Sequence, residues 1–172
     1  MFPVDDWNKE RVHNVMMELL YSFNFMWFLM EEMIKKNCPE EVARDGLQQL
    51  SEKFGNYEAK RLEKTIPGES EGIERLIRFL EHSHWCAFED IEITKLSDTS
   101  FRMRTQNCTA QKAAKKWGME YYDCGTGAHM LRSGFFRTID PNARVTRVFT
   151  PPEKAPDGTP IEVSCEWVIS LE

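Results

Sequence analysis

The last part of the chain carries an apolar side chain or a thiol at every second position. This face of the segment holds Ile161, Val163, Cys165, Trp167, Ile169 and Leu171. The positions between them are mostly polar: Glu162, Ser164, Glu166 and Ser170. Because side chains alternate between the two sides of a strand, this pattern predicts a β-strand with one covered face. The chain therefore has to build a sheet and place another layer of structure against it.

The first part of the chain has the spacing of a helix. From about Asp5 to Ile34, apolar residues recur at every third or fourth position, which is typical of an amphipathic helix. Phe25 and Phe28 fall outside that stripe, so the middle of the helix is apolar nearly all round. We interpret this pattern as burial in the core. The alternative is that part of the helix forms a homodimer interface or lines an apolar pocket.

The remaining segments alternate between the helical spacing of three to four residues and the strand spacing of two. Helices are predicted at 39–64, 69–81, 109–117 and 127–136, and strands at about 85–93, 101–105, 144–150 and 161–171. Gly46 and Gly55 should weaken the second helix. Helices first, then a mostly antiparallel sheet of about four strands with two inserted helices, indicate an α+β fold. We expect one domain over all 172 residues, with a helical half at 1–83 and a sheet half at 84–172.

Formal charge is distributed unevenly along a chain whose net charge is −6. Residues 1–98 carry 12 basic and 20 acidic residues, residues 99–150 carry 9 and 3, and residues 151–172 carry 1 and 5. A basic block between acidic flanks does not favour a nucleic-acid surface. It suits a small anion such as a carboxylate, although a solvated charged surface is the alternative. The candidate contacts for the anion are Arg132, Arg137, Arg144 and Arg147.

The start of the chain and its cysteine count bear on its location. The first six residues have neither the basic start nor the apolar core of a signal peptide. The most apolar stretch, 19–30, is too short to span a bilayer. Five cysteines, an odd number, without an export signal indicate free thiols rather than a disulfide framework. We therefore expect a cytoplasmic protein that does not bind membranes.

Cys124 is the strongest candidate for a nucleophile. It opens a Gly-rich turn before a predicted helix, where the positive end of the helix dipole would favour the thiolate. Gly125 and Gly127 would let backbone N–H groups hold an oxyanion, and His129 or Asp123 would act as the base. The alternative is a buried thiol beside a tight turn.

Two other cysteines lie in the same half of the chain. Cys165 shares its face of the last strand with apolar residues, so we interpret it as a core residue. Cys108 follows a strand and precedes a helix, and its thiol either faces a cleft or contributes to packing. Together with Cys124 these thiols could also bind a metal ion, but their separation in sequence does not say whether they meet in space.

A weaker metal candidate lies near the middle of the chain. His82, His84 and Cys86 alternate, so a strand would direct all three side chains to one face. Imidazole and thiolate are ligands of zinc and iron. The segment lacks the C-x-x-C or H-x-x-x-H spacing of strong metal motifs. We predict no cofactor, with a zinc or iron site here as the minor alternative.

The order of motifs in the second half resembles a known family. In chain order these are Cys108, a helix ending at Gly118, Cys124, Asp140-Pro141, Arg144-Val145-Thr146-Arg147, Pro151-Pro152-Glu153, Gly158 and Cys165-Glu166-Trp167. This order resembles the L-2-amino-thiazoline-4-carboxylic acid hydrolases over residues 85–170, and more closely a set of uncharacterised bacterial cytosolic proteins with the same Pro-Pro-acid and Cys-x-Trp ending. It is distantly similar to ligand-binding domains of the vinyl-reductase-associated type.

Two functions of different class follow from these residues and this resemblance. The first is a small-molecule binding domain without turnover. It is favoured because the Asp that follows the second cysteine in the hydrolase pattern is absent here. The second is a cysteine-dependent hydrolase acting on a C–N bond of a small nitrogen-containing carboxylate. In either case Cys108, Gly125 and Gly127 would contact the ligand, and Arg144 or Arg147 would bind its carboxylate.

Overall fold

The computed structural model describes residues 7–66 and 70–172, except for the side chain of Phe88. The chain divides into two compact units, Met1–Arg44 and Asp45–Glu172. The helices are α1 (Lys9–Asn37), α2 (Glu40–Leu62), α3 (Gly72–Glu81), α4 (His84–Phe88), α5 (Thr109–Lys116) and α6 (Gly125–Ile139). The strands are β1 (Asp90–Ser97), β2 (Ser100–Gln106), β3 (Ala143–Phe149) and β4 (Val163–Leu171). The predicted α+β class is confirmed, and the organisation as one domain stays a prediction.

The four strands form one antiparallel sheet in the order β1-β2-β4-β3. Its register pairs Phe101 with Ile169, Met103 with Trp167, and Thr105 with Cys165. All six residues are buried, which is what a sheet with one covered face requires. The period-two pattern of the last segment therefore identified the central strand of the sheet and its buried face correctly.

Helices α3 and α6 supply the layer that covers this face. The buried side chains of α3 are Ile73, Leu76, Phe79 and Leu80. Phe135 and Phe136 of α6 complete the same core with Phe101 and Trp167 of the sheet. The helix predicted at 69–81 is thus confirmed over Gly72–Glu81. Its predicted start, at residue 69, lies outside the described residues, as does the predicted start of the first helix near Asp5.

Two glycines allow the backbones of α2 and α6 to approach closely. A Cβ atom on Gly55 would overlap the carbonyl oxygen of Leu131, and one on Gly134 would overlap that of Glu52. By contrast, a Cβ on Gly46 would meet no atom within 4 Å. Gly55 lowers the helix propensity of α2, as predicted from the sequence, but it also makes this contact possible.

Two predictions near the sheet are wrong. Residues 84–88 form helix α4 rather than a strand, because the Glu58 carboxylate accepts a hydrogen bond from the His84 N–H (2.7 Å) and so caps the first turn. Ile161 is fully exposed and precedes β4. The carbonyl of Pro160 instead accepts a hydrogen bond from the Val163 N–H (3.0 Å), which closes a turn at this point.

The predicted burial of the first helix is also wrong for most of its apolar stripe. Leu19 is 66% exposed and Met26 is 58% exposed, and the one residue that α1 buries is Glu31. The unit that contains α1 has only the first residues of α2 beside it, which is too little structure to cover a helix of 29 residues. A homodimer interface on α1 stays a prediction. No helix within residues 7–66 and 70–172 is long and apolar enough to cross a membrane.

Candidate functional site

Three cysteines from distant parts of the sequence lie near one another. Cys165 is at the centre of the sheet, and the Cys108 N–H donates to the Oγ of Ser164, its neighbour in β4 (3.4 Å). Cys124 directly precedes α6. Cys165 is close enough to influence the pKa of both other thiols electrostatically, and Cys124 is close enough to influence that of Cys108. The fold therefore answers the question of distance that the sequence left open.

The pKa values of these thiols are shifted in the direction opposite to that expected of a nucleophile. Burial, with a smaller contribution from Cys165, raises the pKa of Cys124 to about 11 despite the nearby charge of Arg132. Burial, followed by the charge of Glu89, raises the pKa of Cys108 to about 12. Both side chains are thus protonated thiols near neutral pH. The dipole of α6 does not overcome the cost of desolvating a thiolate here.

The residues proposed to assist Cys124 are engaged elsewhere. The Asp123 carboxylate accepts a hydrogen bond from the Gly125 N–H (3.2 Å), and its charge raises the pKa of Cys124. Nε2 of His129 lies 3.1 Å from the carbonyl oxygen of Val145, and the imidazole stacks on Trp167. Their roles as a base, like the oxyanion role of Gly125 and Gly127, stay predictions.

The two arginines proposed to bind a carboxylate already have carboxylate partners within the chain. Arg147 lies against the start of α6, since a Cβ on Gly125 would be 2.6 Å from its Nη1. It forms an ion pair with Glu153 (3.0 Å). Arg144 pairs with Glu172 (2.9 Å). Arg147 and Gly125 are therefore neighbours as expected, while their role in ligand binding stays a prediction.

A third arginine lies between two indole rings. The guanidinium carbon of Arg132 is 4.8 Å from the ring centre of Trp85 and 4.6 Å from that of Trp167. Arg132 is only 5% exposed. Its Nη1 donates to the carbonyl oxygen of Ala128 one turn earlier in α6 (3.3 Å), whereas its buried Nε finds no acceptor among the described residues. Arg132 is thus a buried cation with an unused donor.

A second buried polar atom without a partner lies in the same part of the sheet. Thr105 is 3% exposed, and its Oγ1 has no hydrogen bond within the described part of the chain. Thr105 is paired with Cys165 on the buried face of the sheet, two residues from Trp167. We call Arg132, Trp85, Trp167 and Cys124 the Arg132 cluster. Most buried polar groups in folded proteins have a hydrogen-bond partner. Among the described residues, Ser133 Oγ and the Nε atoms of Arg75 and Arg102 are also buried without one.

Glu89 is the carboxylate whose charge interacts with Arg132. Both of its oxygens accept hydrogen bonds from the Thr109 N–H (2.9 and 3.1 Å), and one also accepts from the Thr109 hydroxyl. Its Oε1 lies 3.9 Å from the Sγ of Cys108. Burial raises the pKa of Glu89, while the Thr109 hydrogen bonds and the charges of Arg132 and His84 oppose that shift. Glu89 therefore caps α5 through its hydrogen bonds to Thr109.

The proposed metal site lacks the strand on which it depended. His82 follows the last residue of α3, and His84 and Cys86 lie in α4. The Nδ1 of His84 is 2.7 Å from the carboxylate of Glu58. Within residues 7–66 and 70–172, no group of three His, Cys, Asp or Glu side chains is arranged to hold a metal ion. The three clustered cysteines do not form such a group either.

The sequence contained a partial signal for Arg132. It was one of four arginines proposed to bind an anion, but spacing alone did not favour it. In the predicted helix it shares an apolar face with Ala128, Leu131 and Phe135, and an arginine on such a face is unusual. No comparable signal marked Trp85, Glu89 or Thr105, whose roles depend on contacts between distant segments.

Comparison with known proteins gives a family but no function. No curated protein matches the chain. A family model described as a family of unknown function (DUF6125) matches residues 11–171, which is nearly the whole chain. The protein is therefore a member of the DUF6125 family.

Proposed function

We propose that this protein is a binding domain for a small anionic molecule and that Arg132 is the principal contact. The observation that carries the proposal is the buried Arg132 guanidinium, whose Nε has no acceptor among the described residues. The Thr105 hydroxyl, which is also buried without a partner among the described residues, belongs to the strand that pairs with the Trp167 strand.

The energetics of burial favour an anion at this place. Removing a guanidinium from water is unfavourable unless other groups compensate its charge and its hydrogen bonds. Two indole faces provide cation–π stabilisation of about 2 kcal/mol when desolvated, but they accept no hydrogen bond from the edge of the guanidinium. An ion pair would serve both needs. No Asp or Glu of the described residues forms one with Arg132, whose polar contact is the Ala128 carbonyl.

The orientation of the guanidinium indicates the kind of anion. Nη1 is directed to the Ala128 carbonyl. The opposite edge of the guanidinium, formed by Nε–H and Nη2–H, includes the Nε that has no acceptor among the described residues. This edge presents two parallel donors that match the two oxygens of a carboxylate or of a phosphate. The two indole rings beside the guanidinium favour a small or flat ligand. These features support a small oxyanion as the ligand class.

The geometry weighs against the hydrolase alternative. A cysteine hydrolase needs a thiolate near neutral pH, and the pKa of Cys124 is raised to about 11 by burial. A protonated thiol can still contact a bound ligand as a weak donor. Binding without turnover is therefore the function that the site supports better.

A fluorescence titration tests this proposal, because Trp85 and Trp167 flank the arginine. The unsubstituted chain is titrated with sodium formate, sodium acetate, sodium benzoate and sodium phosphate at constant ionic strength. We expect saturable quenching or enhancement by at least one carboxylate. Arg132→Gln should weaken that binding roughly a hundredfold or more, since the charge and the pair of parallel N–H donors are both lost. Arg132→Lys keeps the charge but loses the pair of parallel N–H donors, so it should weaken anion binding about tenfold or more.

Arg137 supplies the matched control for this titration. It is an exposed arginine on the same helix, five residues further on, and Arg137→Gln should bind as the unsubstituted chain does. Circular dichroism of each variant separates loss of binding from loss of folding. The proposal is wrong if no anion gives saturable binding, or if a folded Arg132→Lys binds every anion with unchanged affinity.

A further inference from the structure

We propose that α1 is the interface of a homodimer, in which the helices of two copies pack antiparallel with Leu19 of one copy opposite Phe23 of the other. This inference concerns the first compact unit of the chain and is independent of the anion site proposed above. The observation that carries it is an exposed line of apolar side chains with the repeat of a coiled coil.

The apolar residues along one side of α1 are separated by alternating steps of four and three residues. This spacing continues without interruption over 22 residues, and we call its seven members the α1 seam: Val12, Met16, Leu19, Phe23, Met26, Met30 and Met33. A straight helix has about 3.6 residues per turn, so a strict mean spacing of about 3.5 stays aligned with a partner only when two helices wind around each other. The repeat therefore indicates that another helix packs along α1.

The α1 seam offers enough apolar surface for a dimer. Six of its seven side chains are between 38% and 66% exposed, and Met30 is partly buried. Val15 and Leu29 border the seam and are also exposed. A large aromatic side chain presents roughly 150–250 Å² when uncovered, so these half-exposed side chains leave several hundred Å² of apolar surface on each copy. A typical interface buries about 800 Å² per partner, which is of the same order.

The composition of α1 is that of an interface core. No Asp, Glu, Lys or Arg occurs between Glu18 and Glu31, a stretch that holds Met, Phe, Tyr and Trp instead. Interface cores are enriched in methionine and aromatic residues and depleted of charged ones. The middle of α1 therefore differs from an ordinary solvated surface in the direction expected of a protein contact.

A second copy of α1 matches the seam layer by layer. In an antiparallel pair centred between Leu19 and Phe23, a position from each four-residue step lies opposite one from a three-residue step. The apolar layers are then Leu19 with Phe23, Met16 with Met26, and Val12 with Met30. Because every member of these layers is apolar, the pair buries no charged side chain in its centre.

The charges near the ends of α1 favour the antiparallel orientation. This pairing places Lys9 and Arg11 of one copy within one turn of Glu31 and Glu32 of the second copy, and it opposes the two helix dipoles. A parallel pair instead brings Lys9 against Lys9, and it brings the two acids of one copy against the same acids of the other. Opposite charges attract and like charges repel, so the ends of the helix favour the antiparallel pair.

The first experiment measures the mass of the full chain by size-exclusion chromatography with light scattering at several micromolar concentrations. We expect a species of twice the 20.2 kDa of one chain. Leu19→Glu places a charge at the centre of the interface and should raise the Kd of the dimer about a hundredfold or more. Tyr21→Glu is the matched control, because it places the same charge at an exposed position on the opposite side of α1. This variant should dimerise as the unsubstituted chain does.

Disulfide crosslinking tests the orientation of the two helices. Cys38→Ser removes the native thiol of this unit, and Met16→Cys and Met26→Cys are introduced into separate chains of that background. The two chains are mixed and oxidised, and mass spectrometry identifies the linked peptides. The antiparallel pair should link position 16 of one chain to position 26 of the other. Oxidation of Cys38→Ser alone gives the background from the remaining cysteines.

The outcomes are distinct. The proposal is wrong if the unsubstituted chain is a monomer at every concentration, or if Tyr21→Glu dissociates the dimer as strongly as Leu19→Glu does. Links that join position 16 only to itself, and position 26 only to itself, overturn the antiparallel arrangement. Circular dichroism shows whether each variant folds. Where Leu19→Glu does not fold, Met33→Glu provides a second charge in the seam, near the end of α1.

Discussion

Helix α1 and the Arg132 cluster depart from the usual distribution of side chains in opposite ways. In α1 the apolar side chains are largely exposed, and the residue that is buried is Glu31, an acid bonded to Lys35. In the Arg132 cluster an arginine is buried between two indoles, while the surrounding core is apolar. The difference shows that residue type alone does not decide burial. The number of segments that meet at a position decides it.

The two regions also differ in the kind of partner that each could bind. The Arg132 cluster draws on α4, β4 and α6, and the buried Nε of Arg132 has no acceptor among the described residues. The apolar surface of α1 comes from a single segment, and Leu19 and Met26 on it are 66% and 58% exposed. An ion or small molecule can complete the first region, whereas the second needs a surface the size of another helix.

The largest expected effect compares a phenylalanine from each region. Phe136 is fully buried in the core and Phe25 in α1 is about half exposed. We expect Phe136→Ala to lower the free energy of unfolding by about 3–5 kcal/mol and Phe25→Ala to change it by less than about 0.5 kcal/mol. Urea denaturation of both variants measures this. Equal losses would show that α1 is covered in solution and would remove the contrast.

The next effect concerns the two glycines of α2. Gly55→Ala forces a methyl group into the backbone of α6 and should destabilise the chain by about 1–3 kcal/mol. Gly46→Ala adds a methyl group in open space and should stabilise it by about 0.5–1 kcal/mol. Thermal unfolding of the two variants is the measurement. A neutral Gly55→Ala would mean that α2 and α6 are further apart than described.

A smaller effect is expected from the clustered thiols at alkaline pH. An unfolded thiol ionises near its ordinary pKa of about 9, while Cys108 and Cys124 keep their protons to about pH 12 and pH 11. The unfolded state therefore binds fewer protons between these values, and the free energy of unfolding should fall as the pH rises above about 9. Urea denaturation at several pH values measures this fall.

Serine variants identify the thiols responsible. Cys124→Ser cannot ionise in this range, so its loss of stability above about pH 9 should be shallower than that of the unsubstituted chain. Cys38→Ser, in the other unit, is the matched control and should leave the fall as it is. Iodoacetamide labelling gives a second measurement. Rapid labelling of Cys124 at neutral pH would contradict its burial and revive the hydrolase hypothesis.

The smallest effect on the isolated chain is expected from polar substitutions in α1. Leu19→Ser combined with Met26→Ser should change the unfolding free energy little if the chain is monomeric. If two copies associate through α1, the unsubstituted chain should sediment as a dimer and the double variant as a monomer. Analytical ultracentrifugation over a range of concentrations distinguishes the two. A dimer that survives the double substitution would place the interface elsewhere.

Much of the fold could be predicted from local periodicity. The stripe of α3 and the alternation around Trp167 gave the right elements, because each pattern reflects one face packed against one layer. Helix α4 could not be predicted in this way. It is only five residues long, and its first turn is capped by Glu58, a residue 26 positions earlier.

The candidate site was predictable only in part. Three cysteines and four arginines were singled out from the sequence as candidates, but the choice of Arg132 over Arg144 and Arg147 was not predicted. That choice depends on which arginine is buried without a carboxylate partner, a property of several segments together. Proximity of Cys108 to Cys124 likewise depends on how α5 and α6 return to the sheet.

The strand order has a consequence for how the protein assembles during synthesis. Strand β4 is the last of the four in the chain, yet it pairs with both β2 and β3. Until β4 leaves the ribosome, the β1–β2 hairpin can form locally, but β3 has no strand to pair with and the sheet keeps an open edge. Trp167 arrives with β4, so the second indole beside Arg132 is the last part of the Arg132 cluster to be built.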